Sequence, residues 1–103
     1  MLGITFKENC PDVRNTKIVD VIAALTDYGI EVSIFDPWAN PAEVKHEYNL
    51  VTSTQLPEET FDAIVLGVAH KEFLNLNFQK LKSEKAILYD VKGILKNDVD
   101  GKL

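Results

Sequence analysis

Asp62-Ala63-Ile64-Val65-Leu66-Gly67-Val68 is the stretch on which the fold turns. Its apolar residues are not interrupted at every second position, and the run is short for a helix. It therefore reads as a strand buried on both faces, the kind found inside parallel sheets. Working outward, Leu2-Gly3-Ile4-Thr5-Phe6, Glu31-Val32-Ser33-Ile34-Phe35-Asp36 and Ala86-Ile87-Leu88-Tyr89-Asp90 read as further strands, with Leu50, Val51 and Thr52 as a minor one. Between the first two, Ile18, Ile22 and Leu25 recur at helical spacing over residues 17–28, with Thr16 as N-cap and Gly29 as the left-handed residue that ends the helix. Asn40-Pro41 opens a short helix to about Tyr48, because proline suits the first helical position. Residues 54–59 are expected to form a helical turn, and residues 70–81 a bent or short helix broken at Asn75 and Asn77. Strands alternating with helices at this spacing predict an α/β fold: a doubly wound, mainly parallel sheet with Rossmann-like layers.

Composition bounds the function classes. The chain has 103 residues, 46% of them hydrophobic, with 11 Lys and Arg against 16 Asp and Glu. That is room for one domain, residues 1–103, with one core. The acidic balance speaks against nucleic acid as a partner. No apolar run approaches the roughly 20 residues of a membrane span. Cys10 is the single cysteine, which excludes an internal disulfide and fits a reducing compartment, so a cytoplasmic location is expected. His46 and His70 have no cysteine or carboxylate at metal-ligand spacing, and no metal site is expected.

Open parallel sheets bind ligands beyond the carboxyl ends of their strands. Those ends carry Lys7, Arg14, Asp36, His70, Lys71 and Lys92, a local excess of cations in an acidic chain, which suits a small anion such as a phosphate. The competing account is that these are solvated loop charges. The G-x-G-x-x-G turn that brings a backbone against a pyrophosphate is absent after the first strand, so NAD is not expected to bind in the usual manner. Asp36 stands where a ribose-binding acid would stand, but Asp36-Pro37 reads more simply as a turn. His70 reads more simply as a hydrogen-bonding loop residue than as an acid or base, and Cys10, before Pro11, more simply as inert than as a nucleophile.

The stretch Gly3-Ile4-Thr5-Phe6-Lys7-Glu8-Asn9-Cys10-Pro11-Asp12-Val13-Arg14-Asn15 resembles the UDP-binding C-terminal domain of the UDP-glucose/GDP-mannose dehydrogenase family, whose pattern is G-L-x-F-K-x-x-x-x-D-x-R-x-S. The resemblance continues through Val32-Ser33-Ile34-Phe35-Asp36-Pro37, His70-Lys71-Glu72-Phe73 and Asp90-Val91-Lys92-Gly93-Ile94-Leu95. It is most similar to the branch acting on UDP-N-acetylhexosamines, of the Vi-antigen and O-antigen type. The resemblance implies that Phe6, Lys7 and Lys92 contact the UDP-sugar substrate and that Arg14 helps hold NAD. It also implies that the N-terminal and central domains, with the catalytic cysteine and lysine, lie outside this sequence. Cys10 is not at the catalytic cysteine's position, so no residue here is assigned to catalysis and the piece alone is expected to be inactive. The parent is implied to be a homo-oligomeric, NAD-dependent 6-dehydrogenase of polysaccharide biosynthesis. A structural or oligomerisation domain without a ligand is the alternative. A receiver-type signalling module is disfavoured, because Lys7-Glu8 stands where two adjacent acids would be needed.

Overall fold

The first helix, α1 (Ile18–Asp27), follows the apolar spacing read from the sequence and buries Ile22. The Thr16 hydroxyl accepts the Ile18 N–H at 3.2 Å, although the residue at the cap itself is Lys17. At the other end Gly29 takes φ 83°, and the Ile30 N–H returns to the Leu25 carbonyl. A residue with a Cβ would be strained at that φ, so glycine closes this helix for a backbone reason. The second helix, α2 (Pro41–Tyr48), starts as expected: the Asn40 side chain accepts the N–H groups of Ala42 and Glu43. Asn40→Ala leaves both donors to water and should cost about 1 kcal/mol. A melting temperature lowered by several degrees, with ligand binding unchanged, is the expected result.

The computed structural model describes residues 1–92 and 100–102. Its strands are β1 (Ile34–Phe35), β2 (Thr52–Ser53), β3 (Phe61–Leu66), β4 (Lys82–Asp90) and β5 (Gly101–Lys102). β1 pairs with β2, β3 with β4 and β4 with β5, all in parallel. The two groups are joined by the N-terminal extended segment, in which Leu2 bridges Phe35 on one side and Leu66 on the other, again in parallel. The order across the sheet is thus β2, β1, the Leu2 segment, β3, β4, β5. It reverses direction at Leu2.

That reversal sends the connections to opposite faces. Ile34 and Phe35 are adjacent, so their side chains point to opposite sides. Ile34 joins a cluster with Ile4, Val13, Val44 and Ile22, under α1 and α2. Phe35 joins Leu2, Ile64, Leu66, Leu88, Phe73 and Leu81. This second cluster is covered by a 3-10 helix, Lys71–Asn75, and by α3 (Phe78–Leu81). The α/β, doubly wound reading of the sequence is what the molecule shows, including the broken helix within residues 70–81.

Several local expectations fail for identifiable reasons. The first strand does not run to Phe6: Gly3 turns at φ 92°, and the Ile4 and Thr5 N–H groups go to the Asp36 carboxylate instead of a neighbouring strand. The central strand ends at Leu66 and is fully buried on one face only: Ile64 and Leu66 are buried, whereas Ala63 is exposed and Val65 half-buried. Residues 54–59 contain no helix. Pro57 has no N–H to give, and the Ser53 hydroxyl closes a local turn with the Gln55 N–H and carbonyl. β2 begins two residues later and ends one residue later than the minor strand expected over residues 50–52, and β4 begins four residues before the expected start. Gly93, Ile94 and Leu95 lie outside the described residues.

Candidate functional site

The carboxyl edge of the sheet is organised by Asp36, the residue that follows β1. Its side chain is fully buried and accepts five hydrogen bonds. Oδ2 takes the N–H groups of Ile4 (2.7 Å) and Thr5 (3.2 Å) and faces His70 Nε2 at 3.0 Å. Oδ1 takes the N–H groups of Trp38 (2.7 Å) and Ala39 (3.1 Å). Burial alone would push this carboxyl up. The His70 hydrogen bond and the N–H groups of Ile4 and Trp38 outweigh that push and hold it below the ordinary aspartate value.

His70 is also fully buried, and its two nitrogens have separate tasks. Nδ1 lies 2.9 Å from the Asn9 N–H and accepts from it. The ring proton therefore sits on Nε2, which faces Asp36 Oδ2 and the Thr5 hydroxyl, 3.1 Å away. The Thr5 hydroxyl donates in turn to the Lys7 carbonyl at 2.9 Å. Asn9, at φ 53°, accepts the Lys71 N–H on its side-chain oxygen at 2.8 Å. Trp38 stacks on the His70 ring with centroids 6.0 Å apart and donates its indole N–H to Glu72, and Lys71 Nζ lies 5.7 Å from its ring centre.

This network lies where the strand order reverses, the crevice in which open α/β sheets take their ligands. Here the crevice is filled by the buried Asp36–His70 pair and bridged by Asn9. A ligand must therefore lie outside it, against what stands exposed. Phe6 is 57% exposed, and Lys7 is exposed beside it. The Phe6 N–H is fixed to the Asp12 carbonyl at 2.7 Å, so the loop folds back on itself behind these two side chains.

Arg14 lies farther along the same loop. Its guanidinium Nε meets Asp12 Oδ1 at 3.1 Å with the arginine side chain 77% exposed. Hydrogen bonding to Arg14 lowers the Asp12 carboxyl and, reciprocally, raises the guanidinium, with Glu47 and Glu43 of α2 adding to the latter. Such an exposed pair shapes the loop more than it stabilises the fold. Between this loop and α2 is an open cleft of about 660 Å³ lined by Cys10, Asp12, Arg14, Glu43, His46 and Glu47. Lys92 is exposed at the end of β4, its N–H held by Asp90 at 3.0 Å. β3 separates β4 from the Leu2 segment, so Lys92 and the Phe6 loop leave the sheet about 10 Å apart, two strand spacings.

The structure thus joins Phe6, Lys7 and Arg14 in one loop and sets Lys92 on the same edge. Asp36 and His70 were legible as strand-end polar residues, and the hydrogen-bonding reading of His70 fits its place. Thr5, Asn9, Trp38 and Glu72 were not singled out. Asn9 carried one usable signal, since asparagine is favoured where a loop residue must adopt positive φ. Among the described residues no group of three or more His, Cys, Asp or Glu is placed to hold a metal ion. None of the helices is long and apolar enough to cross a membrane among the described residues.

A doubly wound parallel sheet whose strand order reverses beside a cation-bearing loop is the architecture of a Rossmann-like α/β domain. Residues 1–97 match the model of the UDP-glucose/GDP-mannose dehydrogenase family, UDP binding domain, and the chain belongs to that family. It is 44% identical over 101 residues to the UDP-N-acetyl-D-glucosamine 6-dehydrogenase of Pseudomonas aeruginosa, covering 95% of this chain and 24% of the relative. It is 41% identical over 98 residues to the Salmonella typhi enzyme of the same name, covering 92% and 23%. Protein CapL of Staphylococcus aureus is 35% identical over 100 residues, covering 95% and 24%. The chain thus spans about a quarter of the length of the curated relatives it matches.

Proposed function

We propose that this chain is the UDP-sugar-binding wall of an NAD-dependent nucleotide-sugar 6-dehydrogenase. The observation that carries the reading is the match of residues 1–97 to a UDP-binding domain. The preferred substrate is a UDP-N-acetylhexosamine, since relatives at 44% and 41% identity bear the name UDP-N-acetyl-D-glucosamine 6-dehydrogenase. The parent would convert the sugar's C6 alcohol to the uronic acid for a capsule or O-antigen polysaccharide. Catalytic groups belong to the rest of the parent chain, itself a homo-oligomer of the cytoplasm. The present piece would show no turnover alone.

Each proposed contact has a physical basis. Lys7 supplies an exposed ammonium from a loop whose backbone is tied to the sheet edge, so its charge is offered to a diphosphate from a fixed base. Phe6 supplies an exposed aromatic face beside it, and Lys92 a second ammonium from the end of β4. Arg14 faces the cofactor side. NAD accepts the hydride when bound. The loop after Gly3 lacks a glycine-rich turn for close backbone approach, so this chain's share in holding the dinucleotide is confined to the exposed Arg14 guanidinium.

Titration of the isotope-labelled chain with UDP-N-acetylglucosamine, followed by NMR, tests this. Amide shifts confined to residues 6–14, His70, Val91 and Lys92 are expected at millimolar ligand. Lys7→Ala should weaken binding about tenfold or more, the worth of one charge-assisted hydrogen bond. Shifts scattered away from this edge, or a Lys7→Ala titration identical to the parent's, would reject the assignment.

A further inference from the structure

We propose that His70 and Asn9 are positioning residues for the UDP-sugar site: together they lock the loop that presents Phe6 and Lys7. The inference rests on the UDP-binding reading above. It begins from the direction of the hydrogen bonds. The Asn9 N–H gives to His70 Nδ1, and the Lys71 N–H gives back to Asn9 Oδ1, at 2.9 and 2.8 Å. This two-bond clamp joins the loop after the Leu2 segment to the chain beyond β3, across 61 and 62 residues of sequence. His70 is itself held at Nε2 by Asp36 and Thr5, inside a fully buried site. The loop's anchor is therefore rigid, while the side chains it presents are exposed.

The clamp also acts within the loop. Through Thr5, whose hydroxyl bonds the Lys7 carbonyl, the same imidazole fixes the backbone on the near side of Lys7. Through Asn9 it fixes the far side. Lys7 is thus bracketed two residues away on each side by contacts that converge on one ring. A cation presented this way loses less freedom when a diphosphate binds, because its backbone is already ordered. Asn9 can do this because its positive φ turns the N–H and the side-chain oxygen toward the same neighbour, and asparagine tolerates that conformation.

Three variants of the chain test the clamp. His70→Asn keeps an acceptor near the Nδ1 position and gives up the Nε2 donor, whereas His70→Gln does the reverse. Asn9→Gly keeps the positive φ and the N–H but removes the acceptor for Lys71, and being at the surface it should fold even where a His70 variant does not. Asn15→Gly, at φ 56° in the same loop, controls for the freedom glycine itself brings. In Asn9→Gly and His70→Gln, amide exchange at Phe6, Asn9 and Lys71 should quicken about tenfold, with α1 unchanged and little change in Asn15→Gly. His70→Asn should preserve the Asn9 amide's protection. UDP affinity measured on the same samples should fall about fivefold to tenfold in Asn9→Gly and His70→Gln, an effect a purely stabilising contact would not produce in the folded fraction.

Unchanged amide exchange in Asn9→Gly would overturn the clamp whether or not UDP binds. Loosened amides with an unchanged UDP affinity would show the clamp to be structural only, which also overturns the proposal. If the unsubstituted chain takes no UDP while the amides loosen as expected, the UDP reading of this chain has failed and its positioning role with it, but the clamp itself stands.

Discussion

Asp36→Ala should come close to unfolding the chain. The substitution removes one side chain and strands five donors, the N–H groups of Ile4, Thr5, Trp38 and Ala39 and the His70 ring N–H. Each buried donor left without a partner costs about 1–3 kcal/mol, and five are left. A domain of this size has only about 5–15 kcal/mol in total. The melting temperature should fall by at least about 15 °C. Asp36→Asn should also be destabilised, since its amide nitrogen must confront backbone N–H groups that now meet an oxygen. A variant of either kind that melts within a few degrees of the parent would show that these hydrogen bonds are readily replaced by water.

The same carboxylate gives the fold an acid limit. Its folded pKa lies below its unfolded value, so ionised Asp36 contributes stability that is fully present above the unfolded value of about 3.9. That contribution is lost as pH falls through the folded value. The melting temperature of the unsubstituted chain should therefore drop on acidification below about pH 4, and the Asp36→Asn variant should lack this part of the drop. Equal acid sensitivity in the two proteins would assign the acid limit to other carboxyls.

Gly3→Ala is the second large effect. Gly3 has φ 92°, and a Cβ there would lie 2.6 Å from Val68 Cβ and 2.9 Å from its Cγ2. The positive φ costs an alanine about 1–2 kcal/mol, and the overlap with a packed side chain about as much again. Neither contact can slip away easily, because Val68 is buried and both the Gly67 and Val68 N–H groups are bonded to the Leu2 carbonyl. A loss of about 3 kcal/mol is expected, read by chemical denaturation with an unchanged slope. Val68→Ala should recover only a small part of this loss, since it removes the 2.9 Å contact at Cγ2 but keeps the 2.6 Å contact at Cβ and the positive φ. A Gly3→Ala protein of normal stability would mean that the Leu2 segment can shift without cost.

What the sequence revealed and what it hid follow from the range of the forces involved. Helices α1 and α2 were legible because apolar spacing and an Asn-Pro start are local signals. The parallel sheet was legible from alternation of elements. The first strand was overextended because nothing local says that the N–H groups of Ile4 and Thr5 prefer a carboxylate 31 or 32 residues away. The helical turn over residues 54–59 failed where Pro57 and the Ser53 hydroxyl impose a different local geometry. In the site, charge at strand ends pointed to Lys7, Arg14 and Lys92, but the fixing of Lys7 depends on Asn9 and His70, which meet only in three dimensions.

The Leu2 segment has one more consequence, and it concerns time rather than structure. Its hydrogen bonds reach Phe35 and Val65, so the middle of the sheet is complete only when partners far along the chain have arrived on both sides. During synthesis at least the β3 region must leave the ribosome before the Leu2 segment can be seated. Until then the Leu2 and Ile4 side chains have no finished core to enter. Non-local pairing of this kind slows folding, because chain entropy is lost before the contacts that reward it form. The Leu2 segment is therefore seated late, and until then its apolar side chains are open to other partners.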